Sequence, residues 1–136
     1  MARLKTPTIL QLEAAECGAA SLGMILGYHG RFLPLDELRM LCGVSRDGSK
    51  ASSLVRAGRA MGMDAKGMKA EPHHLSELPL PAIAFVNFNH FLVVEALDDR
   101  HVWVNDPAAG RRRETLEEFS ESFTGVVLTC CVPEGP

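Results

Sequence analysis

From Cys17 to Tyr28 the chain reads Cys-Gly-Ala-Ala-Ser-Leu-Gly-Met-Ile-Leu-Gly-Tyr, small or apolar on every side of a helical wheel. A helix with no polar face is a buried one, and Gly30 stands where a C-cap is expected. Leu35–Cys42 has amphipathic helical spacing stopped by Gly43, Ser45–Lys50 reads as a turn, and Ala51–Met61 as a third helix. That helix carries Leu54, Val55, Gly58 and Met61 on its apolar side, with Ser53 or an upstream serine as its cap.

The period then changes. Met63–Met68 reads as a short strand, and His73–Leu78 as a helical turn ended by Pro79 and Pro81. Ala82–Phe88, Phe91–Leu97 and Val102–Asn105 read as strands, the last two joined by the polar turn Asp98-Asp99-Arg100. Thr115–Phe123 reads as a helix with Thr115 and Glu118 in capping-box spacing, and Gly125–Val132 as a closing β-branched strand. Helices followed by an antiparallel sheet predict an α+β fold with a helical N-terminal half, a buried central helix and a C-terminal sheet. Residues 1–10 read as an extended lead-in, 1–132 as one domain, and 133–136 as the start of a linker.

Composition narrows the function classes. At 136 residues, 46% apolar and 23% charged, the chain is an ordinary globular domain with enough residues for a core. A net charge of −3 leaves no basic footprint for nucleic acid. The one basic run, Arg111-Arg112-Arg113, is followed by Glu114, Glu117 and Glu118 and reads as a solvated surface loop. No apolar run approaches the ~18 residues of a membrane span and no secretory segment opens the chain, so a soluble, cytoplasmic protein is expected. The four cysteines, Cys17, Cys42, Cys130 and Cys131, are irregularly spaced and read as reduced thiols, not a disulfide framework.

Candidate chemistry centres on Cys17. Taken alone, a cysteine on an apolar helix is a packing residue. Here it follows Glu16 at a loop-to-helix junction with Gln11 six residues upstream, and a helix N-terminus lowers thiol pKa. Such a thiol needs an imidazole and a group to orient it. Of the five histidines, His90 opens the strand Phe91–Leu97, and Asp106 ends the next strand in Asn105-Asp106-Pro107. With the turn centred on Asp99-Arg100, paired positions sum to about 199, which leaves Asp106 on the order of 10 Å from His90 along the ladder. That is neighbourhood, not contact, and a one-residue slip reverses the faces.

The ordered set Gln11-x4-Glu16-Cys17-Gly18, Ser21-Leu22-x-Met24-Ile25, His90-Phe-x-Val-Val94 and Asn105-Asp106-Pro107 resembles the bacteriocin-processing cysteine peptidases. These are papain-like N-terminal domains of ATP-driven peptide exporters. The resemblance spans about Thr6 to Val132, and the opening from Thr6 is most similar to members that mature lanthipeptides. It implies Cys17 as nucleophile, His90 as base and then acid, Asp106 as the group orienting His90, and Gln11 as oxyanion donor. It implies cleavage of a precursor peptide's leader after Gly-Gly or Gly-Ala, with a helical leader docking in a groove and the exporter's transmembrane and ATP-binding domains as partners. Glu16 departs from the aspartate common before the cysteine.

Competing readings remain. A non-catalytic leader-docking module would keep the fold without the cleavage, and a metal-stabilised domain would need zinc ligands. Cys130-Cys131 point to opposite faces of a strand and no CxxC or HExxH spacing exists, so neither metal nor cofactor is expected. His29 reads as a partner of a helix C-terminal dipole, and His73, His74 and His101 as surface residues. Gly43–Lys50 imitates a phosphate loop with its lysine and serine in the wrong order, and reads as a turn.

Overall fold

The apolar run folds as helix α1, Cys17–Tyr28, and every residue from Cys17 to Gly27 is buried. Its glycines are what make that burial possible. A Cβ on Gly27 would sit 2.6 Å from Pro7, and one on Gly23 would strike Leu38 and Ile9. The N-terminal segment and the next helix therefore lie directly against the α1 backbone. This computed structural model describes residues 5–133. The lead-in before Lys5 and the linker expected beyond Pro133 lie outside the described residues.

Helix α2 is Leu35–Leu41 and α3 is Ala51–Ala60. The expected serine cap on α3 is not made: Lys50 is the N-cap residue, and Ser49 donates instead to the Cys42 carbonyl. The sheet consists of β1 (Asp64–Lys69), β2 (Ala82–Val86), β3 (His90–Leu97), β4 (His101–Asp106), β5 (Gly110–Thr115) and β6 (Phe123–Cys131). A 3-10 segment at Pro72–Glu77 stands where the helical turn was expected. Helix α4, Leu116–Ser122, is capped by Thr115, whose hydroxyl accepts from the Glu118 N–H while its own N–H donates to the Glu118 carboxylate.

All six strands are antiparallel in the order β1-β6-β2-β3-β4-β5. Alternation along β3 feeds two cores. Phe91 and Val93 pack with Cys17, Ile25 and Leu54 of the helical half, whereas Leu92 and Val94 pack with Phe119 and Leu75 on the opposite face. Both faces are thus covered, and the α+β architecture read from the sequence is the one observed.

Arg111–Arg113 are not a loop. They form β5, paired Asn105↔Arg111, Val104↔Arg112 and Trp103↔Arg113. The glutamates that follow do not account for their charge: two of the three arginines meet buried carboxylates. Arg111 donates from Nε to Glu95 Oε1 at 2.9 Å and from Nη2 to Oε2 at 3.1 Å. Glu95, 2% exposed, also accepts from the Thr6 N–H at 2.6 Å and the Thr6 hydroxyl at 2.9 Å. Arg111 further donates to the Thr6 carbonyl, and Asn105 Nδ2 to the hydroxyls of Thr6 and Thr8.

Glu95 sits at a break in the β3–β4 ladder. Leu97↔Val102 and Ala96↔Trp103 sum to 199 as expected from the turn, but Val94↔Val104 and Val93↔Asn105 sum to 198. Glu95 is the extra residue of a β-bulge. Continuing this register sets Asp106 opposite Leu92, on the face of His90; without the bulge it would oppose Val93 and face the α1 core. Replacing Arg111 by Met leaves the Glu95 carboxylate buried with only Thr6 for a partner. Arg111 is itself 34% exposed, so solvent softens the loss. The expected cost is about 2 kcal/mol of stability, read as a lower urea midpoint at unchanged slope.

Candidate active site

Cys17 reaches the end of α1 through a single 3-10 turn, Ala14–Glu16. Glu16 builds that turn. Its buried carboxylate accepts from the Leu12 and Glu13 N–H groups, both at 2.7 Å, and its second oxygen lies 3.3 Å from Arg39 Nε on α2. The acidic residue beside the cysteine is therefore committed to holding the loop.

The thiol is 6% exposed and meets the start of β3, where the Phe91 N–H donates to Sγ at 3.4 Å. His90 Nε2 lies 2.7 Å from Asp106 Oδ1, and the imidazole and the Cys17 thiol are near enough for each to shift the other's titration. Asp106 Oδ1 accepts a second bond from the Ala108 N–H at 2.8 Å, and Oδ2 accepts from Arg112 Nη1 at 2.7 Å. Cys17, His90 and Asp106 thus stand in series, with the His90–Asp106 pair hydrogen-bonded and the thiol beside the imidazole. Gln11 lies nearby through the backbone: its N–H donates to the Pro107 carbonyl at 2.8 Å, and its side-chain Oε1 is buried without a hydrogen-bond partner among the described residues.

The charges in this chain reinforce one another. Burial pushes the Cys17 thiol up, but the His90 hydrogen bond, the Phe91 N–H, the imidazolium charge and the Gly18 N–H together bring it below its ordinary value. The Asp106 and Cys17 hydrogen bonds raise His90 to about 9 against the cost of burial. Burial raises Asp106, yet His90, Arg112 and the Ala108 N–H hold it well below the usual carboxylate range. These shifts favour a thiolate–imidazolium pair, the reactive form of a cysteine nucleophile, with the proton held where a leaving group can take it.

The thiol opens on a cleft of about 390 Å³ lined by Ala14, Ala15, Gly48, Ser49, Phe88 and Phe91 among others. A groove of about 560 Å³ between α3, β1 and β6 is larger, but it contains neither thiol nor imidazole. Phe88 marks the rim of the cleft beside Cys17. It is 79% exposed and, with Asn87, has a left-handed backbone (φ 57° and 54°), which costs a bulky residue about 1 kcal/mol. No sequence signal pointed to it. The missed partner Arg112 had one: the stretch between the turn after Asp106 and the Thr115 cap is long enough for a strand, which puts Arg112 on the face of Asp106.

The other candidates lie elsewhere. His29 stands at the C-cap of α1, and burial lowers its imidazole below the ordinary value. Cys42 and Cys130 are buried thiols pushed up to about 12 and about 11. Glu71, His73 and His74 bring one ligand atom each within 4.8 Å of one another on the exposed surface, away from the cleft.

The sequence pattern of the peptidase C39 family matches residues 5–134. The chain belongs to that family of cysteine peptidases. It is 35% identical over 126 residues to the lactococcin-G-processing and transport ATP-binding protein of Lactococcus lactis subsp. lactis, matching 88% of this chain and 18% of that one. It is also 35% identical over 124 residues to the colicin V secretion/processing ATP-binding protein of Escherichia coli, matching 91% and 18%. The chain therefore spans about a fifth of the length of these two relatives. Among solved structures, a double glycine motif protease from an AMS/PCAT transporter in complex with the leader peptide superposes with TM-score 0.92 at 45% identity, over 96% of this chain and 94% of that one. The peptidase domain of Streptococcus ComA, at 22% identity and TM-score 0.88 over 95% and 100%, shares the papain-like fold.

At neutral pH, limited treatment with iodoacetamide is expected to label Cys17 before Cys42 or Cys130, read by peptide mass mapping. Labelling of either buried thiol ahead of Cys17 contradicts the electrostatics described above.

Proposed function

We propose that this C39 peptidase is the leader peptidase of a peptide exporter. It removes the leader of a ribosomal precursor, of bacteriocin or lanthipeptide type, by cutting C-terminal to a Gly-Gly or Gly-Ala pair. The observation that carries this reading is the convergence of the Cys17 thiol and the His90–Asp106 pair beside a cleft walled partly by Ala14, Ala15 and Gly48. The names of the relatives, which join processing to ATP-driven secretion, support a full-length protein with transmembrane and ATP-binding domains. In that protein this domain works at the cytoplasmic face; no described helix is long and apolar enough to cross a membrane.

In the proposed reaction the Cys17 thiolate attacks the carbonyl carbon of the residue before the scissile bond. Gln11 donates from its side-chain amide to the oxyanion, beside the Cys17 N–H. The His90 imidazolium gives its proton to the departing amine as the C–N bond breaks, leaving a thioester. Water then attacks the thioester, His90 takes its proton, and the leader leaves as a carboxylate with the thiolate restored. Asp106 stays ionised throughout and orients the ring.

The test is cleavage of a synthetic peptide with an amphipathic helical leader ending in Gly-Gly. One cut after the pair is expected. Cys17→Ala is expected to abolish turnover while still binding the leader, and Gln11→Ala to lower kcat by roughly 10²–10³. Wild-type protein that binds the leader and never cuts it would be a docking module instead. Because His90 is raised, the imidazolium needed for leaving-group protonation is present below about 9 and lost above it. Activity is therefore expected to fall on the alkaline side through about 9 and on the acid side as the thiolate is protonated, the two limbs belonging to the coupled pair.

A further inference from the structure

We propose that Arg112 is a positioning residue of the catalytic site, fastening one oxygen of Asp106 so that the other alone addresses the imidazole. The proposal rests on the catalytic reading above and adds to it a group on a different strand. Arg112 Nη1 donates to Asp106 Oδ2 at 2.7 Å, and its Nε donates to Glu114 Oε2 at 2.7 Å. The guanidinium is thereby held at two points by carboxylates from two strands, a grip that a planar fork can make and a single ammonium cannot.

The need for such a grip follows from where Asp106 lies. It is the last residue of β4, followed by Pro107, and its side chain is 7% exposed. On Oδ1 it serves both His90 and the Ala108 N–H, but Oδ2 has Arg112 alone among the described residues. A carboxylate anchored on one oxygen only can pivot, and the His90 bond is the one that pivoting loosens. The strand geometry makes Arg112 the only member of its basic run able to act here. Arg111, on the other face, is spent on Glu95, and Arg113 is an exposed neighbour with no ion pair among the described residues. The charged groups in line are then Cys17, His90, Asp106, Arg112 and Glu114, alternating in sign when the thiol and imidazole are ionised, while Arg46 and Asp47 line the cleft on the other side of the thiol.

The sign of the effect separates positioning from plain electrostatics. Deleting a cation beside Asp106, with nothing else changed, makes the carboxylate a stronger partner for His90 and moves the imidazole upward. Loosening Asp106 does the opposite: the imidazole falls, and the thiol, less well paired, rises.

The experiment compares Arg112→Met, Arg112→Lys and the neighbouring control Arg113→Met. Two readouts are used: the pH dependence of Cys17 alkylation by iodoacetamide, and steady-state cleavage of a synthetic leader peptide ending in Gly-Gly. Arg112→Met is expected to lower kcat by roughly ten- to a hundredfold with KM unchanged. Its alkylation limb is expected to move to higher pH and the alkaline limb of kcat to move below about 9, so the bell narrows from both sides. Arg112→Lys recovers part of the loss, and Arg113→Met matches the parent. A kcat within twofold of the parent with both limbs in place overturns the proposal. So does an upward shift of the alkaline limb, or a smaller reactive fraction with unmoved limbs, which is a folding defect. If Cys17→Ala still cleaves the peptide, the catalytic reading is what fails, and the alkylation limb still reports on Arg112.

Discussion

The active site depends on a carboxylate that takes no part in it. Glu95 is the extra residue of the β3 bulge, and its buried charge is held by Arg111 and by the Thr6 N–H and hydroxyl. An unpaired buried carboxylate costs several kcal/mol, so the bulge and the cluster stand or fall together. The bulge decides the face on which Asp106 stands. The same cluster clamps the segment Thr6–Thr8 to the sheet, and three residues later Gln11 meets Pro107. Register and loop placement thus share one anchor.

Around the site, charge is organised in alternation. Arg112 and the Ala108 N–H keep Asp106 ionised, Asp106 keeps His90 protonated to about 9, and His90 with two backbone N–H groups favours the Cys17 thiolate. Burial opposes ionisation at every one of these groups, and hydrogen bonding outweighs it at each. The contrast with Cys42 and Cys130 is instructive. They are similarly enclosed, no imidazole acts on either thiol, and burial is the largest cause of the rise in both.

The thiol itself is presented by a rigid base. Helix α1 is wrapped by other elements, its glycines admit Pro7, Ile9 and Leu38 against the backbone, and Glu16 ties the preceding turn to α2. A thiol at such a helix start has little freedom to drift from the strand that carries His90.

Periodicity and local chemistry were sufficient for much of this protein. The all-apolar run from Cys17 could only be buried, the change to period two after Met61 required a sheet, and Thr115 with Glu118 marked the start of α4. Gln11, Cys17, His90 and Asp106 were legible as a set because their order and flanking residues resemble a known family. What the sequence could not decide was register. A hairpin turn sets the pairing only as far as the ladder stays regular, and the bulge at Glu95 shifts it by one residue. That shift is held by Thr6 and Arg111, which lie 89 and 16 residues from Glu95 along the chain. No local pattern encodes a contact of that range. For the same reason Arg111–Arg113 read as a solvated run: charge alone says nothing of a buried carboxylate on the neighbouring strand, and only the tertiary structure brings Glu95 and Asp106 to opposite faces of β5.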